Sequence, residues 1–202
     1  PRISVIVLTY NNLDLTKACL RSLLELSDYP ELEIIVVDNA SMDGTPAYLN
    51  EFGKRYSQTK IILNNSNLGF AAGNNVGLAA ATGDYLVMLN NDTVVTRGWA
   101  MTLLRHLQND QSIGLIGPVT NNIGNEARIE MAYQDLTDMP KEARQFTLSN
   151  MGKLMPMHNA AFFCVMLPRS TYEICGIISE EYGRGFFEDD DYCRKVEMAG
   201  LR

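Results

Sequence analysis

Four consecutive carboxylates stand near the end of the chain, in the stretch "FFEDDDYCRK" at 186–195. They are Glu188, Asp189, Asp190 and Asp191. Helix structure explains two of them, because Asp189 or Asp190 can cap a helix start and Asp191 can pair with Arg194 or Lys195. The other two would lie beside like charges behind two phenylalanines. Such crowding raises the pKa of a carboxyl group and suits a general base.

Polar side chains also follow four predicted strands. The stretches are "TYNN" at 9–12, "DNASMDGT" at 38–45, "NNSNLGFAAGNN" at 64–75 and "NND" at 90–92. Asn, Asp and Gly are common turn formers, but four such clusters at the carboxyl edge of one sheet favour a ligand site. Asp92 is a candidate oxygen ligand for Mg²⁺ or Mn²⁺, ions that take few protein carboxylates and add phosphate and water oxygens. An ordinary turn is the alternative for this tripeptide.

The elements that must position these residues alternate along the first 120 residues. Buried strands are predicted at 3–9, 32–38, 60–64, 84–90 and 113–119, with helices between them near 70–81 and 98–109. Thr45 is a candidate helix N-cap before Pro46. This alternation predicts an α/β fold with a mostly parallel central sheet flanked by helices.

The last third of the chain has a different pattern. Residues 120–158 are polar and weakly periodic, which predicts a long functional loop or a partly disordered one. A further strand is predicted at 160–168, then a short helix at 169–175 and a last helix that begins in the carboxylates and ends near Ala199.

Composition narrows the classes of function. The 202 residues are 46% apolar and carry a net charge of −7, which fits one globular unit and argues against nucleic acid or an anionic membrane as partner. The four cysteines lack a Cys-x-x-Cys pair and are expected to be reduced core thiols. A cytoplasmic location follows, with a peripheral position at the inner face of the membrane left open. No apolar run is long enough for a membrane span.

Two common nucleotide-binding motifs are missing from the sequence. A dinucleotide fold would need Gly-x-Gly-x-x-Gly after the first strand, where "TYNNLD" has no glycine, and no Walker A pattern occurs. Gly69, Gly73 and Gly77 are instead spaced by four, along one face of a helix. Close backbone packing explains Gly77, whereas the adjacent amides Asn74 and Asn75 call for another explanation.

Taken in order, five stretches resemble the family 2 inverting glycosyltransferases of the GT-A fold. They are "ISVIVLTYNN", "IIVVDNASMDGT", "NLGFAAGNNVGL", "GDYLVMLNNDT" and "GRGFFEDDDYCRKVEMAG". The resemblance implies a nucleotide site made of Thr9, Tyr10, Asn11, Asp38, Asn67, Gly69, Phe70, Gly73, Asn74, Asn90 and Asn91. It further implies a metal ligand, Asp92, and a catalytic pair, Glu188 and Asp189, in which Asp189 is the base.

The same resemblance implies the reaction and its partners. The donor would be a nucleoside-diphosphate sugar, with UDP or dTDP favoured over GDP because Asp38 matches an acid that binds uracil or thymine. The cofactor would be a divalent metal, Mg or Mn, and the acceptor a glycan, a lipid-linked sugar or a protein. Residues 1–119 would form the nucleotide-binding half of a single catalytic domain, and residues 120–202 the acceptor-binding half.

Two features depart from the pattern of this family. Asn90 replaces the first carboxylate of its Asp-x-Asp motif, so the metal would depend more on diphosphate oxygens. The family's histidine after the Glu-Asp helix has no match, because neither His106 nor His158 stands at that position. We therefore expect a domain truncated at its C-terminus.

Two other functions remain as alternatives at this stage. A sugar nucleotidylyltransferase shares the sheet, but it needs a glycine-rich basic loop after the first strand, which "TYNNLD" lacks. A catalytically impaired nucleotide- or carbohydrate-binding module is the second. The donor sugar, the acceptor and the linkage do not follow from the sequence.

Overall fold

Alternating strands and helices fill the first 110 residues of the computed structural model, which describes residues 1–183 and 186–202. The strands are β1 (Ile3–Thr9), β2 (Leu32–Asp38), β3 (Thr59–Leu63), β4 (Tyr85–Asn90) and β5 (Cys164–Pro168). The helices are α1 (Leu13–Leu26), α2 (Thr45–Arg55), α3 (Gly69–Ala80), α4 (Trp99–Asn109), α5 (Met139–Ser149), α6 (Arg169–Cys175) and α7 (Glu188–Met198). No helix within the described ranges has both the length and the apolar character that a membrane crossing requires.

The sheet has the strand order β3-β2-β1-β4-β5. The first four strands are parallel, whereas β5 pairs with β4 in the antiparallel sense. Thr9 pairs with Asp38, and Leu8 pairs with Asn90, so β1, β2 and β4 end at one common edge. We call this edge the carboxyl edge. The predicted α/β fold with a mostly parallel sheet is confirmed.

Helices cover both faces of the sheet. Val5 and Val7 of β1 face a core layer that contains Leu20 and Leu23 of α1. Ile6 faces the other layer, with side chains from α3 and α7. Strands buried on both sides need apolar residues at every position, which explains the continuous β-branched runs in the sequence.

Gly77 of α3 allows this helix to lie directly on β1. A Cβ at this position would be 2.4 Å from Cγ2 of Ile6 and 3.2 Å from Cγ2 of Val37. Both neighbours are β-branched side chains with restricted rotamers, so they have little freedom to move away. The packing explanation for this glycine is confirmed.

The prediction of a strand at 113–119 is wrong. Only Ile116 pairs with the sheet, through an isolated bridge to Met166. Gly114 instead donates its N–H to the carbonyl of Arg202 at 2.8 Å, and Pro118 has no N–H to offer. The apolar run is real, but its backbone is bonded partly to the chain end rather than to a strand.

The segment 120–158 is not wholly a loop, because it contains α5. Met139 is the only buried residue of this helix, so its sequence lacks a clear apolar stripe. Several element bounds also differ from expectation. The strand expected to begin at 160 begins at Cys164, and Thr45 is the first residue of α2 rather than its cap. The Thr45 N–H donates to Oδ1 of Asp43 at 2.9 Å.

The cysteines are core residues, as their spacing predicts. Cys19, Cys164 and Cys193 are buried free thiols, and Cys175 is half-buried. Burial raises the pKa of the Cys164 thiol to about 12 and that of Cys193 to about 11. Such thiols stay protonated at neutral pH and are poor nucleophiles.

Candidate active site

Helix α7 begins at the carboxyl edge of the sheet. Its Cys193 Sγ lies 3.3 Å from the N–H of Ala160, in the segment that leads into β5. The first residue of β5 pairs with Leu89, one position before the end of β4. Past the other end of α7, Arg202 is bonded to Gly114, near the opposite edge of the sheet. The first turn of α7 and the "NND" turn after β4 therefore lie at the same edge.

Glu188 combines burial with an unpaired carboxylate oxygen. It is 8% exposed, and its Oε2 has no hydrogen-bond partner among the described residues. Burial raises the pKa of this carboxyl group, and the charges of Asp189 and Asp190 raise it further. A buried oxygen without a hydrogen-bond partner costs free energy.

The other three carboxylates of the stretch have different surroundings. The Asp189 carboxylate accepts the N–H of Asp190 at 2.9 Å and is partly exposed. Asp191 lies 3.0 Å from Lys195 Nζ, which confirms the predicted ion pair. The expected aspartate cap is wrong, because the N-cap position belongs to Phe187 and no side chain caps this helix.

Backbone strain is concentrated at the carboxyl edge. Phe186 and Phe187 have φ values of 79° and 73°, and Phe186 is 85% exposed. Asn11 and Asn12 follow β1 with positive φ, and so does Ala40 after β2. A left-handed conformation costs a bulky residue about 1–2 kcal/mol. Strain of this kind typically clusters at ligand and catalytic sites.

The turn after β4 contains one fixed amide and one free carboxylate. Asn91 Nδ2 donates to the hydroxyl oxygens of Thr9, at 3.1 Å, and Thr16, at 2.9 Å. Thr9 is buried, and its hydroxyl lies 2.7 Å from that of Thr16. The Asp92 side chain is exposed and makes no hydrogen bond or ion pair within residues 1–183 and 186–202. Thr9 and Asn91 thus hold the turn, and Asp92 is available to a ligand.

The loops after β1 and β2 are joined by hydrogen bonds. Asp38 is 1% exposed, and its carboxylate accepts the backbone N–H of Ser41 at 3.0 Å and also the Ser41 hydroxyl. Ser41 Oγ in turn accepts the N–H of Asn11 at 2.7 Å, and Asn11 Oδ1 accepts the N–H of Met42 at 2.9 Å. Tyr10 remains exposed between these loops.

Asn39 is a central residue of the site that the sequence analysis missed. Its Nδ2 donates to the carbonyl of Gly69 at 2.9 Å and to Asn67 Oδ1 at 3.2 Å, while its Oδ1 accepts from Asn64 Nδ2 at 2.9 Å. A Cβ on Gly73 would lie 3.0 Å from Asn39 Nδ2. The loop before α3 is therefore built around this amide. Its position directly after Asp38, at the end of a strand, is the sequence feature that could have identified it.

The two adjacent amides of α3 have different roles. Asn74 Nδ2 donates to the carbonyl of Phe70 within the helix, at 3.0 Å. Asn75 points elsewhere and donates to the carbonyl of Ile178, at 2.9 Å. The Phe70 ring is half-buried against the core layer that contains Ile6. Asn74 is thus bonded within α3, whereas Asn75 joins α3 to the segment that contains Ile178.

A divalent metal at Asp92 would need ligands from outside the protein. The described part of the chain contains no group of three His, Cys, Asp or Glu side chains that could hold an ion. Mg²⁺ commonly binds one or two carboxylates together with substrate phosphates and water. A single free carboxylate beside two amides fits that mode and does not fit an all-protein metal cage.

The chain matches known glycosyltransferases in sequence. The family model for glycosyl transferase family 2 matches residues 4–173. An uncharacterized glycosyltransferase of Haemophilus influenzae is 32% identical over 117 residues, which are 58% of this chain and 36% of that protein. The chain thus spans about a third of the length of this relative. The match to the family model ends before α7.

Solved structures share the fold. A mannosyltransferase from Pyrobaculum calidifontis, solved with GDP-Man and Mn²⁺, superposes with a TM-score of 0.75 at 24% identity, over 100% of this chain and 53% of that one. GalNAc-T7, solved with UDP, GalNAc and Mn²⁺, superposes with a TM-score of 0.76 at 16% identity, over 99% and 40%. The strand order and these superpositions agree with the GT-A fold. The chain therefore belongs to glycosyl transferase family 2.

Proposed function

We propose that this chain forms the donor site and the catalytic base of a metal-dependent inverting glycosyltransferase. The observation that carries the proposal is that carboxylates from two parts of a family 2 chain lie at the same edge of the sheet. Asp92, free and exposed, follows β4, and the pair Glu188–Asp189 begins α7 at the same edge. One group can meet the departing diphosphate, and the other the incoming hydroxyl.

The donor in this proposal is a UDP or dTDP sugar bound over the loops after β1, β2 and β3. Tyr10 offers an exposed ring to a base, and Asp38 an acceptor at the end of β2. Ser41 already bonds the Asp38 carboxylate, but a carboxylate has about four lone-pair sites and can accept a further N–H. The neighbouring structures hold GDP-Man in one case and UDP in the other, so the base is assigned on Asp38 alone.

Asp92 would hold a divalent metal, with Asn90 and Asn91 beside it. A bound Mg²⁺ or Mn²⁺ would neutralise negative charge on the diphosphate leaving group. The Mn²⁺ ions in the two neighbouring structures support this assignment. In this step the chain would place a single carboxylate near the diphosphate. Additional carboxylates would cancel more of the metal's positive charge.

Asp189 would act as the general base. It takes the proton of an acceptor hydroxyl while the hydroxyl oxygen bonds to the sugar's anomeric carbon and the bond from that carbon to the diphosphate breaks. Attack from the face opposite the leaving group inverts the configuration. Glu188 would be the buried neighbour of the base in this pair. The acceptor would be a glycan, a lipid-linked sugar or a protein.

A nucleotide-binding screen followed by product analysis tests this function. Thermal unfolding is measured with UDP, dTDP and GDP, each with Mn²⁺, Mg²⁺ or EDTA. We expect UDP or dTDP with metal to stabilise the protein by about 2.7 kcal/mol at a hundredfold excess over Kd, and to stabilise it less in EDTA. Donor hydrolysis or transfer is then followed by NMR, and we expect an inverted anomeric configuration. Stabilisation by no nucleotide, or a retained configuration, would contradict the proposal.

A further inference from the structure

Residues 176–180, the connecting segment, lie between α3 and α7. On the α3 side the segment is bonded by one side chain, Asn75, which is buried. Its Nδ2 donates to the carbonyl of Ile178 at 2.9 Å and to Glu180 Oε1 at 2.8 Å. Its Oδ1 accepts the N–H of Ile178 at 3.0 Å. All three hydrogen bonds that hold the segment to α3 therefore pass through this amide.

On its other side, the connecting segment is bonded by α7. The Tyr192 hydroxyl donates to the carbonyl of Gly176 at 3.2 Å, and Lys195 Nζ donates to the carbonyl of Ile177 at 3.2 Å. Ile178 is fully buried in the core layer that also contains Tyr192 and Val196. The segment thus lies between two helices that share no direct hydrogen bond among the described residues.

We infer that Asn75 is a positioning residue that sets the place of the catalytic base relative to the donor site. The inference rests on the proposed function, in which the start of α3 lines the nucleotide and α7 carries Asp189. Both Nδ2 protons of Asn75 and its Oδ1 are already used, so it has little capacity left for a substrate. It acts through the connecting segment on α7.

A merely structural amide would behave differently from a positioning one. Loss of any buried hydrogen bond lowers stability, and it would lower every activity in proportion to the unfolded fraction. Loss of the link between α3 and α7 should instead lower turnover while the donor still binds, because the nucleotide loops do not depend on this amide. A split between kcat and donor affinity therefore separates the two roles.

The test compares Asn75→Ala with Ser4→Ala. Ser4 is a buried hydroxyl near the opposite edge of the sheet, where its Oγ accepts the N–H of Gly83 at 2.8 Å. Below the unfolding temperature of both variants, we expect Asn75→Ala to lower kcat about a hundredfold, the loss typical of a 1 Å misplacement. The affinity for UDP with Mn²⁺ and the donor KM should stay within about twofold of wild type. Ser4→Ala should leave kcat, the UDP affinity and the donor KM unchanged.

A double variant tests the bond itself. Asn75→Asp faces the Glu180 carboxylate with a like charge and should also be slow. Adding Glu180→Gln reverses the hydrogen bond, since the glutamine amide can donate to the new aspartate, and should recover part of kcat. Hydrogen exchange adds a readout without turnover, in which Asn75→Ala should speed exchange at 191–194 and leave 73–74 protected, all of them amides that follow the unpaired first N–H groups of their helices.

The possible results separate this inference from the proposed function. Wild-type kcat in Asn75→Ala, or a loss of UDP affinity equal to the loss of kcat, would overturn the positioning role alone. A double variant no faster than Asn75→Asp would count against the bond to Glu180. A wild-type protein that neither hydrolyses nor transfers any UDP, dTDP or GDP sugar would overturn the proposed function and this inference with it.

Discussion

The proposed donor and acceptor sides of the carboxyl edge differ in the kind of polar group that lacks a partner. On the donor side Asp38, Asn39 and Asn91 all have hydrogen-bond partners in the described part of the chain. On the acceptor side Glu188 Oε2 has no partner among the described residues, and Phe186 is 85% exposed. Among the described residues, the unpaired group of the proposed donor side is the exposed carboxylate of Asp92, whereas that of the proposed acceptor side is a buried oxygen.

The largest effect is expected on the acceptor side, from Asp189→Asn. Removal of the general base should lower kcat by about 10²–10⁴-fold and leave UDP affinity unchanged. Asp190→Asn makes the same charge change one residue away and serves as the control, measured by the same transfer assay. Equal losses in both variants would show that net charge, not a base, was removed.

The next largest effect is expected on the donor side, from Asp92→Ala. Loss of one charge-assisted contact should weaken UDP binding about 10–100-fold in the presence of Mn²⁺. Binding in EDTA should not change. Isothermal titration measures both affinities, and Glu51→Ala, an exposed acid on α2, is the control. A variant that keeps wild-type affinity with Mn²⁺ would remove Asp92 from the metal site.

Two glycines of α3 sharpen the comparison within the donor side. Gly73→Ala would place Cβ 2.5 Å from Leu8 Cδ1, and Gly77→Ala would place it 2.4 Å from Ile6 Cγ2. Each should lower the free energy of unfolding by about 1–3 kcal/mol through overpacking. Only in Gly73→Ala does the new Cβ also come close to the Asn39 side chain. Only this variant should therefore weaken UDP binding. Urea unfolding and titration together check both statements, and equal effects on UDP binding would count against the role of Asn39.

The smallest effect concerns Glu188 and pH. Because its pKa is raised above the ordinary 4.5, the native state holds this proton more tightly than the unfolded state does. The free energy of unfolding should therefore fall as pH rises from 4.5 through the raised pKa, and stay low above it. Glu188→Gln should remove this fall and be the more stable protein at pH 7, as measured by urea midpoints across pH.

Glu197→Gln is the matched control for this pH series. Glu197 is on the same helix, with a half-exposed side chain. This variant shows what the loss of one acid from α7 does to stability by itself. An identical profile for wild type and Glu188→Gln would contradict the assigned cause of the pKa shift.

The sequence predicted the elements whose signal is local. Strands β1 and β2 have the expected bounds because each is a continuous apolar run buried on both faces. The polar strand ends are at one edge because parallel strands end together. The α7 ion pair was predictable because its partners are four residues apart.

The missed features depend on distant partners. Asn75 and Ile178 are 103 positions apart, and the sequence around either residue gives no sign of the contact. Helix α5 has almost no buried side, so its periodicity is weak. The positive φ values of Phe186 and Phe187 run against the preference of an aromatic residue, so only the fold around them reveals the conformation.

Paramagnetic relaxation by Mn²⁺ tests most directly whether Asp92 and Asp189 share one cleft. Amide resonances of the labelled protein are recorded with UDP and Mg²⁺, and then with UDP and Mn²⁺. We expect selective broadening at 90–92 and at 188–191, with 31–33 at the opposite edge unaffected. Broadening that spares 188–191 while it removes 90–92 would place the base away from the metal and contradict the proposed mechanism.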